Sequence, residues 1–146
     1  MNTHLEELHT KLSVAYTDFL QTANQLDVAK RDQSGVCGEW TPREVVAHLT
    51  GWDASLCSFI TDPEGFDPPY DAHAFNAQSV AKRQSLAWEA VVDELERNFA
   101  DLERAIATIT PEMKPYQRVC SWMQGRTEDY KAPYAAVKEM DSVGGN

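Results

Sequence analysis

Residues 40–53 read WTPREVVAHLTGWD and contain the clearest helix start in the chain. Thr41 stands at the position of a helix N-cap, Pro42 at the first helical position and Glu44 at the third. The side chains of Thr41 and Glu44 can each accept a hydrogen bond from the other residue's backbone amide. Proline suits the first turn because its missing N–H needs no partner there. The stretch therefore predicts a helix that begins at Pro42.

The apolar residues that follow predict which side of this helix is buried. They recur every three or four residues, which is the spacing of one helical face: Val45, Leu49, Trp52, Leu56 and Phe59. The same spacing predicts a helix from about Thr3 to Ala29 and another from a Ser85 cap to Ile109. A weaker pattern predicts a last helix over 127–140, capped by Thr127. Pro133 lies inside it, so we expect that helix to kink there or to begin near 132.

Proline-rich segments separate the predicted helices. Residues 63–70 read PEGFDPPY, which predicts a loop, and a short extra helix is expected over about 71–84. No strand pattern appears. The sequence thus predicts an all-α fold, a four-helix bundle with a short extra helix and a proline-rich loop between helices 2 and 3. We expect residues 1–140 to form this single domain and 141–146 to be a flexible tail.

Charge and composition restrict the classes of function. The 146 residues include 23 acids and 13 bases, a formal net charge of −10. This charge argues against binding to nucleic acid or to an anionic membrane. The sequence has neither the apolar core of a signal peptide at its start nor an apolar stretch long enough to span a membrane. Because Cys37, Cys57 and Cys120 form no CxxC motif, we expect three reduced thiols in a cytoplasmic protein.

Histidines are the first candidates for chemistry. His48 lies on or beside the buried face of the second helix, where an imidazole needs hydrogen-bond partners or a metal. From position alone, a structural histidine is favoured over a ligand or a general base. His73 is expected to be exposed at the start of the short helix. No HxxxH or HExxH motif exists, so the local sequence contains no ready-made zinc site.

The H-L-x-x-W pattern that starts at His48 is similar to the second-helix signature of the DinB-like (YfiT-like) superfamily. Residues 71–102 resemble the maleylpyruvate-isomerase-like branch of that superfamily. The resemblance implies a bundle that holds one metal through the histidine of H-L-x-x-W and an H-x-x-x-H pair on the last helix. Asp129 and Pro133 stand at the positions of the pair. The resemblance therefore implies an incomplete metal site, to which His73 would have to add a third ligand.

A second branch matches the carboxyl-terminal region better. The ClbS/DfsB-like bundles lack the metal pair and carry an S-P-Y motif in their last helix. Residues 131–134 of this chain read KAPY, which is similar, and the likeness accounts for Pro133. It implies a resistance or detoxification role, either hydrolytic or sequestering.

The favoured interpretation is a small-molecule pocket in the bundle that uses no metal or other cofactor. His48 is then the general base or acid, and Asp129 or Tyr134 orients a water or a leaving group. The residues expected to contact the ligand are Trp52, Asn76 and Tyr130.

Two other interpretations remain. In the first, His48, Asp129 and His73 bind a divalent ion for thiol-dependent transfer or isomerisation. In the second, the protein is a non-enzymatic binding or dimerisation module, for example a homodimer paired through helices, and His48 is structural. Stoichiometric metal would distinguish the metal-dependent interpretation from the favoured one.

Overall fold

The computed structural model describes residues 2–35 and 38–144. Its helices are α1 (Thr3–Asn24), a short 3-10 turn (Val28–Lys30), α2 (Pro42–Thr61), α3 (Ala72–Arg83), α4 (Trp88–Ile106) and α5 (Tyr116–Gly144). No strand occurs in these residues. The all-α prediction is confirmed, with α1, α2, α4 and α5 as the bundle and α3 as the short extra helix after the proline-rich loop. No helix within them is long and apolar enough to cross a membrane.

The start of α2 is as the sequence predicts. The Thr41 hydroxyl accepts a hydrogen bond from the Glu44 amide at 3.1 Å, and the Glu44 carboxylate accepts one from the Thr41 amide at 3.0 Å. These bonds satisfy two free amides of the first turn, and the third, that of Arg43, donates to the Arg31 carbonyl at 3.1 Å. The helix begins at Pro42.

Two other predicted helix starts are wrong. α4 follows Ala87 at the N-cap position, so Ser85 does not cap it. α5 begins at Tyr116 rather than near Thr127 or 132, and the Thr127 hydroxyl donates to the Met123 carbonyl inside the helix, 3.1 Å away. The start of α5 is missed because charged and polar residues interrupt its apolar pattern.

The ends of α1 and α5 also differ from the prediction. α1 ends at Asn24, and the chain then forms the 3-10 turn instead of continuing to Ala29. α5 includes Pro133 and runs to Gly144, so the first four residues of the expected tail are helical. Residues 145 and 146 lie outside the described residues, as does Cys37. Cys57 and Cys120 are free thiols, the first half-buried and the second buried.

The helices pack pairwise around one apolar core. α1 lies against α5, α2 lies against α4, and α2 also contacts α3 and α5. All four bundle helices contribute apolar side chains that are 2% exposed or less, among them Leu5, Leu12, Phe19, Leu49, Leu56, Leu95, Phe99, Leu102, Met123 and Val137. This arrangement makes α2 the central helix, because it contacts α3, α4 and α5.

Gly51 sets the distance between α2 and α3. A Cβ atom at this position would lie 2.3 Å from the Ser79 Oγ and 2.9 Å from the Ser79 Cβ, which is closer than real Cβ contacts. Ser79 is the buried residue of α3, at 4% exposure. The missing side chain of Gly51 therefore allows α3 to pack closely on α2.

Gly51→Ala should therefore destabilise the protein, even though alanine favours a helix over glycine by about 0.5–1 kcal/mol. Gly125→Ala in α5 is the matched control, because an added Cβ there meets no atom within 4 Å. The control should raise the free energy of unfolding by up to about 1 kcal/mol. Urea denaturation measures both, and a Gly51→Ala protein as stable as the control would contradict the close packing.

Candidate functional site

His48 lies in a hydrogen-bonded group formed by α2 and α3. Its Nδ1 is 2.8 Å from the Oδ1 of Asn76, and the Trp52 indole N–H donates to the same oxygen at 2.6 Å. On another side, the Trp40 ring packs edge-on against the imidazole, with 4.8 Å between ring centroids. We call Trp40, His48, Trp52 and Asn76 the His48 site.

The shared oxygen determines which nitrogen of His48 carries the proton. An indole N–H can only donate, so the atom of Asn76 that faces Trp52 must be the carbonyl oxygen. His48 Nδ1 approaches the same oxygen and must also donate. The neutral imidazole is therefore protonated at Nδ1, and its Nε2 carries the lone pair. Within the described part of the chain, no hydrogen bond involves that Nε2, which leaves it available to accept a proton.

Neighbouring charges and burial keep this imidazole neutral. Burial lowers the pKa of His48 below its ordinary value of 6.5 and is the largest cause of the shift. The positive charge of Arg126 lowers the pKa further. The hydrogen bond with Asn76 and the negative charge of Asp129 act in the opposite direction. His48 is thus an unprotonated base at neutral pH.

A buried ionic group adjoins the His48 site. Arg126 of α5 is 1% exposed, and its guanidinium donates to Asp53 at 2.9 Å, to the Leu49 carbonyl at 3.2 Å and to Asp129 at 2.7 Å. The Tyr130 hydroxyl donates to the second oxygen of Asp53. We call Asp53, Arg126, Asp129 and Tyr130 the Arg126 cluster. It joins α2 to α5.

Burial governs the acids of this cluster. It raises the pKa of Asp53, while the Arg126 charge and the Tyr130 hydrogen bond act against it. Burial also raises the pKa of Tyr130, and the negative charge of Asp53 adds to that effect. Tyr130 therefore stays protonated, and its hydroxyl donates a hydrogen bond to one oxygen of the Asp53 carboxylate. The other oxygen accepts a hydrogen bond from Arg126.

The structure brings together some of the predicted site residues and separates others. His48, Trp52 and Asn76 share one hydrogen-bonded group, and Asp129 lies next to it through Arg126. Tyr130 is fully buried among Tyr16, Phe19 and Phe99, so no surface is left on it for a ligand to contact, contrary to its predicted role.

Tyr134 and His73 lie apart from the His48 site. Tyr134 lines a cleft between α1 and α5, and the Lys138 ammonium lies over its ring. It is therefore not placed to orient a water at His48. His73 is exposed in the first turn of α3.

The donors present do not fit a divalent metal. Residues 2–35 and 38–144 contain no group of three or more His, Cys, Asp or Glu side chains placed to hold an ion, so His48, Asp129 and His73 do not assemble one. The Asp129 Oδ2 atom is already bonded to Arg126, whose positive charge would oppose a cation beside His48. Pro133 stands at the second position of the histidine pair that the family resemblance implies, and its side chain has no atom that can bind a metal.

Neither Arg126 nor Asp53 is among the site residues predicted from the sequence. Asp53 is in fact fully buried. A signal for both was present. Each charged residue stands at an apolar position of its helical face, Asp53 among Val46, Leu49, Leu56 and Ile60, and Arg126 among Val119, Met123, Tyr130 and Val137. Opposite charges on the buried faces of two helices predict an internal ion pair, because neither can be buried alone.

Comparisons with known proteins show which family the chain matches. The family described as mycothiol maleylpyruvate isomerase N-terminal domain matches residues 12–140. The crystal structure of an uncharacterised protein from Escherichia coli UTI89 is similar in fold, with a TM-score of 0.82 over 99% of this chain and 96% of that chain. Its sequence is 14% identical, so the likeness concerns the fold alone. No protein of curated function matches the sequence.

Arg126→Met should lower the free energy of unfolding by about 3–5 kcal/mol, because Asp53 is then left buried and unpaired. Adding Asp53→Leu to that variant should restore part of the loss. Arg104→Met is the matched control, since Arg104 pairs with Asp101 on the surface and should matter little. Guanidinium chloride titrations compare the variants. A loss from Arg126→Met no larger than that of the control would contradict the role of the cluster.

The stability of the protein should also depend on the protonation of His48. Its pKa is lower in the folded chain than in the unfolded chain, so the unfolded chain binds more protons between the two values. The free energy of unfolding should therefore fall as pH decreases from neutral to about 5. His48→Gln should remove this part of the pH dependence, and His73→Gln should leave it unchanged. Identical pH profiles for the wild type and His48→Gln would contradict the buried neutral imidazole.

Proposed function

Because this chain belongs to the mycothiol maleylpyruvate isomerase N-terminal domain family, a part of the DinB-like superfamily, we propose that it acts on a small molecule at His48 without a bound metal. The observation that carries the proposal is the oxygen of Asn76 shared by Trp52 and His48. It holds the imidazole in one orientation and one tautomer, with the lone pair on Nε2. A base fixed in this way is prepared for proton transfer.

The chemistry proposed for His48 is general-base hydrolysis of a small electrophile. Nε2 accepts a proton from a water molecule as the water oxygen bonds to the electrophilic carbon, and the bond to the leaving group breaks. The imidazolium then returns the proton to the leaving group. Asn76 accepts a hydrogen bond from Nδ1 throughout, and the negative charge of Asp129 favours the transient positive charge.

A mechanism without metal is supported by Arg126 and by the residues at positions 129 and 133, where the resemblance implies histidine ligands. The guanidinium occupies one oxygen of Asp129 and places a positive charge close to the imidazole. A divalent ion at His48 would meet that charge with too few donors to offset it. The family description names a thiol, mycothiol, so metal-assisted use of a thiol cosubstrate is the second candidate.

The hydrolysis of p-nitrophenyl acetate tests the base directly. The rate should rise with pH to an inflection below 6.5 and stay level above it, since only the neutral imidazole accepts a proton. His48→Gln should lower the rate by about a hundredfold, the lower end of what a general base contributes. His73→Gln is the control and should retain the rate. A wild-type rate no higher than that of His48→Gln would exclude this function for His48.

Elemental analysis separates the two candidates. Purified wild-type protein should contain no stoichiometric zinc, nickel, iron or manganese, even after supplementation with each metal. One equivalent of metal that disappears in His48→Ala would establish the metal-dependent alternative instead. His48→Gln that changes stability but neither hydrolysis nor metal content would indicate a structural histidine in a binding module.

A further inference from the structure

A cleft between α2 and α3 lies beside the His48 site but is not lined by His48 or Asn76. Its volume is about 510 Å³, and its floor is the close crossing of α2 and α3 at Gly51. The residues used in the argument below are Ser55, Phe66, Asp67, Phe75, Ser79 and Lys82. They come from α2, from the proline-rich loop and from α3.

Two buried serines face this cleft without hydrogen-bond partners. Ser55 is 8% exposed and Ser79 is 4% exposed, yet neither hydroxyl bonds to any residue that the structure describes. Arg83 donates to the carbonyl of Ser79 and not to its hydroxyl. The described residues contain one fully inaccessible side-chain polar atom without a partner, the Nε of Arg31. Both serine hydroxyls therefore keep access to space, and the cleft supplies it. Each hydroxyl can therefore bond to water or to a ligand that enters the cleft.

The charged groups on the cleft are arranged at opposite ends. α3 runs back along α2, which brings Arg83 near Ala47, while Asp62 directly follows α2. Arg83 is held by Glu94 at 2.7 and 3.2 Å, and Asp62 accepts from the Gly65 amide at 3.0 Å.

Two further charged residues on the cleft, Lys82 beside Arg83 and Asp67 in the loop after Asp62, are exposed and form no ion pair within the described chain. A positive group therefore stands at one end of the cleft and a negative group at the other, with the two serine hydroxyls between them.

We propose that this cleft binds a small zwitterion, an amino acid or short peptide with a free carboxylate and a free ammonium group. Lys82 pairs with the carboxylate and Asp67 with the ammonium group. The hydroxyls of Ser55 and Ser79 donate to the carboxylate or accept from the ligand's N–H groups. Phe66 and Phe75 offer apolar faces to a side chain of the ligand. The site is separate from the proton transfer proposed for His48.

A titration with the dipeptide L-alanyl-L-phenylalanine tests the proposal. Amide signals of the ¹⁵N-labelled protein are followed, and those of Gly51, Gly65 and Ser79 should shift with a dissociation constant in the millimolar range, typical of about 4 kcal/mol. The N-acetylated dipeptide, which lacks the ammonium group, and the C-amidated dipeptide, which lacks the carboxylate, should each bind about tenfold more weakly.

Paired variants assign each charge to one end of the ligand. Lys82→Met should weaken the free dipeptide about tenfold and leave the C-amidated form unaffected, because that form has no carboxylate to lose. Asp67→Asn should likewise weaken binding of the free dipeptide about tenfold and leave binding of the N-acetylated form unaffected, because that form has no ammonium group. Ser55→Ala should weaken all three ligands. Lys131→Met, an exposed lysine on α5, is the control and should change nothing.

The outcomes distinguish this site from the His48 site. His48→Gln should bind the free dipeptide as the wild type does, so a failure of the hydrolysis experiment does not affect this test. The proposal is overturned if no cleft signal shifts at about 20 mM dipeptide, well above a millimolar dissociation constant. It is also overturned if the blocked dipeptides bind as tightly as the free one, or if His48→Gln abolishes the shifts in a folded protein.

Discussion

The rest of the structure depends on the buried ion pair between Arg126 of α5 and Asp53 of α2. Apolar contacts between two helices tolerate small shifts along their axes, whereas a buried charge tolerates none that separates it from its partner. Arg126 also donates to the Leu49 carbonyl, so it holds α2 at two points one turn apart. We infer that the pair fixes the register of α5 against α2 more than it adds to stability.

That register determines the surroundings of His48. With Arg126 beside α2, its positive charge acts on the imidazole and lowers its pKa, and its remaining nitrogen binds Asp129. The same guanidinium that orders the bundle therefore removes one oxygen donor and adds a charge that repels cations. The hydrogen bond from Arg126 to Asp129 would therefore compete with a metal ion for the carboxylate at 129.

Local features of the fold could be predicted from the sequence, and distant pairings could not. The Thr41–Glu44 capping box and the apolar spacing of α1, α2 and α4 act within a few residues, so the sequence displays them directly. The start of α5 was obscured because charged and polar residues interrupt its apolar pattern, although Pro115 just before it is a typical start signal. The helical spacing and the family resemblance both pointed to His48, but the acceptor that it shares with Trp52 depends on how α3 packs on α2. That packing rests on Gly51 and Ser79, which lie on different helices, and no spacing in the sequence connects them.

The hydrogen bonds from Trp52 and His48 to Asn76 hold the imidazole in one orientation and one tautomer. A ligand histidine and a general base need the same tautomer, with Nδ1 protonated and held by an acceptor and with Nε2 free. Asn76 provides that acceptor and Trp52 fixes its orientation, and both residues lie outside α5. In the function we propose, Asp129 and Pro133, at the positions where the resemblance implies histidines, change what meets Nε2 without changing the orientation of His48. In that proposal, the lone pair on Nε2 accepts a proton instead of binding a metal.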